Sequence, residues 1–209
     1  TTYTATIKAD EAYTAGEVTP TSGTFTTDTT FTATAATINS YTVTITPGAH
    51  QTITVTNVTT GKSYTSTFTA NYGDKLTATI TADPGYTAST LNHTSATVGT
   101  SGVTFKATGD ATINSYTVTI TQSANQTITV NDGTRNHTSS FSAPYGTKLT
   151  ASIVANTGYT AGTLNQTSAT VGTSGATFSA TAATVNRYSV VITQTANQTI
   201  KVNDGNTDH

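Results

Sequence analysis

The sequence predicts an all-β fold built as a tandem array of small β-sandwich or β-grasp-like modules, each about 72–75 residues long. Three observations predict it. Thr supplies 59 of the 209 residues. One segment pattern returns three times, at spacings of 75 and 72 residues. Within each copy, apolar residues alternate with hydroxyl residues at every second position.

Thr is β-branched, favours strands and tolerates water. A Thr-rich chain can therefore be mostly strand without exposing greasy surface. Charged residues make up only 9% of the chain, against roughly 25% in ordinary globular domains. Hydrophobic residues reach 34%, so each core must be thin. A polar composition can also signal disorder. The net charge of −2 and the regular recurrence of Ile, Val, Tyr and Phe argue for a fold.

The repeats define the organisation. Tyr41 opens YTVTITPGAHQTITV, Tyr116 opens YTVTITQSANQTITV and Tyr188 opens YSVVITQTANQTIKV. Residues 85–102 and 158–175 are identical at 16 of 18 positions. The segment from Tyr3 matches the one from Leu76. Two phases are open. One gives whole repeats at 41–115 and 116–187, with partial copies at 1–40 and 188–209. The other divides the chain at 1–73, 74–146 and 147–209. The copies differ in length only near Gly61 and near Gly109-Asp110, which marks both places as surface turns.

The elements follow in order. Tyr116, Val118 and Ile120 alternate with Thr, and Ile128 and Val130 alternate again after a polar stretch at 122–125. This reads as strand, short loop, strand: a hairpin. Asn131-Asp132-Gly133 carries a tight-turn signal, and Pro144-Tyr145-Gly146 marks another turn. Strands are expected at Leu149–Val154 and Leu76–Ile80. Thr177–Thr181 and Thr104–Thr108 close the repeats. Five to seven short strands per repeat are expected, and no stretch has helical periodicity. The junctions Ile113-Asn114-Ser115 and Val185-Asn186-Arg187 are short and free of Gly and Pro, which favours an elongated, semi-stiff rod.

Tyr41–Ile45, Tyr72–Ala78, Gly85–Ala88 and Thr104–Thr108 form a pattern that recurs at Tyr116–Ile120, Tyr145–Ala151, Gly158–Ala161 and Thr177–Thr181. This pattern resembles the divergent internalin-type B-repeat family. The resemblance covers nearly the whole chain. It implies small β-grasp-like modules arrayed in bacterial surface proteins, with display and adhesion as the role and no catalytic residues. The usual Gly-Trp of that family is absent here.

A search for chemistry gives few candidates. His50 is replaced by Asn125 in the next copy and His93 by Gln166, so no metal site or cofactor is expected. No His-acid pair accompanies the abundant hydroxyls at a shared repeat position, and no phosphate loop is present. The chain is therefore not expected to be an enzyme. Gln51, Gln126 and Gln198 recur at one position and Lys75 and Lys148 at another, which makes them candidates for a covalent cross-link, Lys to Asn or Thr to Gln. The alternative is that Gln caps a hairpin and Lys follows a turn. Tyr86 and Tyr159 are candidate glycan-stacking platforms, or core aromatics after a turn. Asn57, Asn92, Asn125, Asn136, Asn165 and Asn197 each open an N-x-[ST] triplet, which so much Thr produces by chance.

The chain has no Cys, which excludes disulfides. No apolar run approaches the ~18 residues of a membrane span, and no signal peptide is visible. With no Met and a first residue Thr1, the chain reads as a processed product or a piece of something longer. Nothing basic suggests nucleic acid. The expectation is a structural and adhesive segment of an extracellular fibre or cell-surface stalk. A phage tail-fibre or virion decoration protein and a carbohydrate-binding array are the alternatives. Partners would be host-surface or matrix glycans or proteins, or the chain itself, joined end to end by strand addition.

Overall fold

The computed structural model describes residues 1–209, and every regular element is a strand. There is no helix, and so none long and apolar enough to cross a membrane. Two compact units are present, Thr1–Ser115 and Tyr116–His209.

The first unit opens with six short strands: β1 (Thr2–Thr4), β2 (Tyr13–Thr14), β3 (Val18–Thr19), β4 (Ser22–Thr24), β5 (Thr32–Ala33) and β6 (Thr37–Ile38). They make only two-stranded pairings: β1 with β4, β2 with β6, β3 with β5. Nine strands follow: β7 (Ser40–Thr46), β8 (Gln51–Asn57), β9 (Lys62–Tyr64), β10 (Phe68–Asn71), β11 (Lys75–Ala82), β12 (Tyr86–Thr87), β13 (Ser95–Thr97), β14 (Val103–Lys106) and β15 (Thr112–Ile113).

These strands form two facing sheets. One has the order β10-β7-β14, the other β13-β11-β8-β9. In the first, β7 runs antiparallel to β10 and parallel to β14. Alternation puts Val43 and Ile45 of β7 on one side, and Ile53 and Val55 of β8 on one side. Together with Leu76, Ala78, Val98 and Phe105 they make one core. Val43, Ile53, Val55 and Phe105 are completely buried. The other face of the larger sheet carries hydroxyls in cross-strand pairs: Thr77 opposite Thr56, Thr79 opposite Thr54, Thr81 opposite Thr52. Such pairs each contribute about 0.2–1 kcal/mol. The thin core and the Thr content are thus two sides of one alternation.

The second unit repeats the plan. Its strands are β16 (Ser115–Ile120), β17 (Gln126–Asn131), β18 (Asn136–His137), β19 (Phe141–Pro144), β20 (Lys148–Ala155), β21 (Tyr159–Thr160), β22 (Ser168–Thr170), β23 (Ala176–Phe178) and β24 (Thr184–Val185). The sheets run β19-β16-β23 and β18-β17-β20-β22. Val118, Ile128, Val130, Leu149, Val171 and Phe178 fill the core.

Two sequence expectations change. Each repeat holds nine strands rather than five to seven, because pairings such as Tyr86↔Ile113 span only two residues and leave no periodic trace. The expected hairpin is a sheet-to-sheet crossover. β7 and β8 sit in opposite sheets, as do β16 and β17. Alternation specifies which face is apolar, not which sheet a strand joins. The crossover turns on a left-handed residue, His50 (φ 55°) in one copy and Asn125 (φ 62°) in the next. Asn tolerates that region better than most residues.

The one-residue length difference near Gly109 has a local cause. Ser89 Oγ donates to the Gly109 carbonyl at 2.9 Å. The shorter second copy has Gly162 at the Ser89 position, and a Cβ there would lie 2.0 Å from the Thr181 carbonyl oxygen. Gly162→Ser is therefore expected to lower the melting temperature of the second module. Inserting one Gly after Thr181 should restore it, as thermal unfolding would read.

Residues 188–209 repeat the sequence of 116–137 but form no strand, only the isolated bridge Asn203↔Asp208. Tyr188, Val190 and Val191 are 79%, 76% and 82% exposed.

Candidate functional site

The buried polar side chains are Gln51, Asn57, Asp74 and Gln126. Burying an amide without partners costs a few kcal/mol, and each of these has partners. The Gln51 amide donates to the Pro47 carbonyl at 2.7 Å and the Gly109 carbonyl at 2.6 Å. Its oxygen accepts from the Ser89 N–H at 2.9 Å. Gln126 does the same work with the Thr181 carbonyl (2.7 Å) and the Gly162 N–H (2.7 Å). Each Gln clamps the crossover side of the module to the loop after β12 or β21 and the loop after β14 or β23.

The candidate Gln and Lys positions lie apart from one another. Gln51 lies opposite Ala82, while Lys75 begins the same strand seven residues away, about 23 Å at ~3.3 Å per residue. Gln126 lies opposite Ala155 and Lys148 starts β20, with the same separation. Gln198 is exposed and donates to the Thr195 hydroxyl. Lys75 and Lys148 are exposed strand starts.

Tyr86 and Tyr159 are half-buried beside their module-closing strands, opposite Ile113 and Val185. One face of Tyr86 is already stacked on His50, with centroids 4.1 Å apart at 10°.

The position two residues past the last core Val of β8 or β17 organises the next turn. In the first module it is Asn57, whose Oδ1 accepts from Thr59 N–H (3.0 Å) and Thr60 N–H (3.1 Å), and whose amide donates to Asp74 (2.7 Å). In the second it is Asp132. Its Oδ1 accepts from Thr134 N–H (2.8 Å) and Arg135 N–H (2.7 Å). Its Oδ2 is 2.9 Å from His137 Nε2. The His137 ring lies flat on Phe141 at 3.6 Å, as Tyr64 lies on Phe68 at 3.8 Å. His137 is thus a partly buried packing residue rather than a surface one.

The bond from His137, then those from Thr134 and Arg135, hold the Asp132 carboxyl well below the usual carboxylate range. A depressed folded-state pKa adds stability above the unfolded value of about 3.9 and loses it as pH falls further. The second module should therefore lose stability below about pH 4. Asp132→Asn should flatten that part of its melting-temperature profile, measured from pH 5 downward.

Two features escaped sequence reading. Asn92 and Asn165 look like glycosylation triplets, yet they seal strand edges. Asn92 donates to the Thr104 carbonyl and accepts from the Lys106 N–H, both at 2.9 Å. Asn165 does so with Thr177 (3.0 Å) and Ser179 (2.9 Å). This blunts the open edges of β14 and β23 against strand addition. The second feature is a junction clasp present three times. The hydroxyls of Thr14, Thr87 and Thr160 donate to Asn39, Asn114 and Asn186 at 2.6, 2.7 and 2.6 Å. The same Asn N–H groups donate to the carbonyls of Ala12, Gly85 and Gly158. Asn39 also accepts from the Tyr72 N–H at 3.0 Å, fixing 1–40 to the module that follows. The matching sequence signals are Y-T-A at 13–15, 86–88 and 159–161 and the Asn of I-N-S at 38–40 and 113–115 and of V-N-R at 185–187.

No group of three His, Asp or Glu residues is placed to hold a metal ion. No protein-family model matches the chain, and no curated protein matches it. Among solved structures, the Bacillus anthracis TIE protein is similar at 12% identity and a TM-score of 0.28. That likeness covers 71% of this chain, which spans 35% of the other's length.

Proposed function

We propose that the chain is a non-catalytic structural and adhesive repeat segment of an extracellular fibre or cell-surface stalk. The repeating unit in this reading is 41–115 and 116–187. One observation carries it. The buried polar side chains and the repeated Asn side chains hydrogen-bond the chain's own backbone and neighbouring side chains, at loops, edges and junctions. Such spending of polar groups suits a load-bearing spacer. The resemblance of Tyr41–Ile45 and Tyr72–Ala78 to B-repeat modules points the same way, toward display on a bacterial surface. Adhesion would use the exposed hydroxyl faces, with matrix glycans or proteins as partners.

Pulling the 209-residue chain from its ends in a force spectrometer tests this. Two unfolding events of near-equal length are expected, each releasing roughly 250 Å for ~73 extended residues. Extension without any force peak would sink the load-bearing role. A turnover of hydrolase or transferase substrates would sink the non-catalytic one.

A further inference from the structure

Gln51 has a neighbour that its hydrogen bonding does not require. Its amide carries two hydrogens, and the Pro47 and Gly109 carbonyls accept them at 2.7 and 2.6 Å. Yet Ser89 Oγ stands 3.1 Å from Nε2 and 3.2 Å from Oε1. An oxygen that close to both ends of a carboxamide lies within about 3.5 Å of the carbon between them, a separation from which attack can begin. The Ser89 N–H also donates to Oε1 at 2.9 Å, where negative charge gathers during such an attack. Gln51 is buried, which keeps water from competing. Gly48 and Gly109 beside it are exposed and open a way out for a small leaving group. A side chain at Gly48 would close that way, since a Cβ there would lie 2.8 Å from Gln51 Nε2 and 3.1 Å from Asp110 Oδ1.

We propose that Ser89 and Gln51 join in an ester within the first module. Ser89 Oγ bonds to Gln51 Cδ and the Cδ–Nε2 bond breaks. The hydroxyl proton passes to the nitrogen, which leaves as ammonia. The Asp110 carboxylate borders the exit and attracts the ammonium that ammonia becomes in water. The second module is not built for this step. Its Gln126 oxygen accepts from the Gly162 N–H, and position 162 has no hydroxyl. The hydroxyl there is Ser123, three residues from Gln126, and it pairs with the amide nitrogen rather than the oxygen. Gly48 and Ser89 of one copy are thus Ser123 and Gly162 in the next, and one link per chain follows. The link ties the start of β8 to the segment after β12, so the 38 residues between cannot extend under load. Unlinked, the two modules release near-equal lengths on pulling. Linked, the first releases about 125 Å less.

The inference rests on the load-bearing reading and deepens it. The intact mass of the 209-residue chain, read after denaturation, tests it. Wild type should weigh one ammonia less than its sequence, and Ser89→Ala should show the full sequence mass. Ser123→Ala should keep the deficit. Digestion of wild type should give the peptides of Gln51 and Ser89 as one joined species, which identifies the bond without any variant. Mild alkali should add one water and part them. A wild type at full sequence mass after prolonged incubation of the folded chain, or a deficit that survives Ser89→Ala, would overturn the proposal. Two force peaks from a chain of full sequence mass would defeat the link and leave the load-bearing role standing.

Discussion

Phe178→Ala is expected to unfold the second module and spare the first. Phe178 is completely buried and pairs beside Ile120 at the centre of the core. Removing a buried Phe ring costs about 3–5 kcal/mol, from lost transfer energy and the cavity left behind. A module of ~73 residues holds roughly 4–11 kcal/mol in all. The substitution therefore removes much of what is there. The two cores share no residue. Calorimetry should resolve one transition shifted down or lost and one unchanged. Phe105→Ala should give the mirror result. A single transition lowered as a whole would mean that the modules do not unfold separately.

Gly175→Ala is the second large effect, and its cause lies in the backbone. Gly175 sits at φ 77°, where a side chain costs about 1–2 kcal/mol. A Cβ there would also stand 1.9 Å from the Thr117 carbonyl oxygen of β16. The backbone of a central strand cannot retreat without breaking its pairing with β19 or β23. The combined loss is expected to reach at least ~2 kcal/mol, with faster proteolysis of 116–187 as the readout. Gly133→Ala is the control. It has φ 91° but open space around its Cβ, so only the conformational cost applies.

Much of this fold was legible because alternation is local. Val43, Ile45, Ile53 and Val55 stand in period two, and each proved to be core. The partner sheet of each strand was not legible, since β7 and β8 would alternate identically in a hairpin. Gly102 and Gly175 could not be told from Gly133 or Gly146 in the sequence. The difference is a carbonyl from a strand about 60 residues earlier. The recurrence of Gln51 and Gln126 was plain, but their clamp role depends on loops brought together by the sandwich. Residues 188–202 make the point most directly. They nearly repeat 116–130, yet Val118 is buried and Val190 is exposed. Burial there belongs to the partner strands, not to the segment.

Hydrogen exchange of the 209-residue chain tests the central claim that 41–115 and 116–187 are the folding units. Two protected blocks are expected, one from Tyr41 to about Lys106 and one from Tyr116 to about Phe178. Amides 188–202 should exchange freely despite their near-identity to 116–130. Protection of 74–146 as one cooperative block, separate from 41–73, would contradict it.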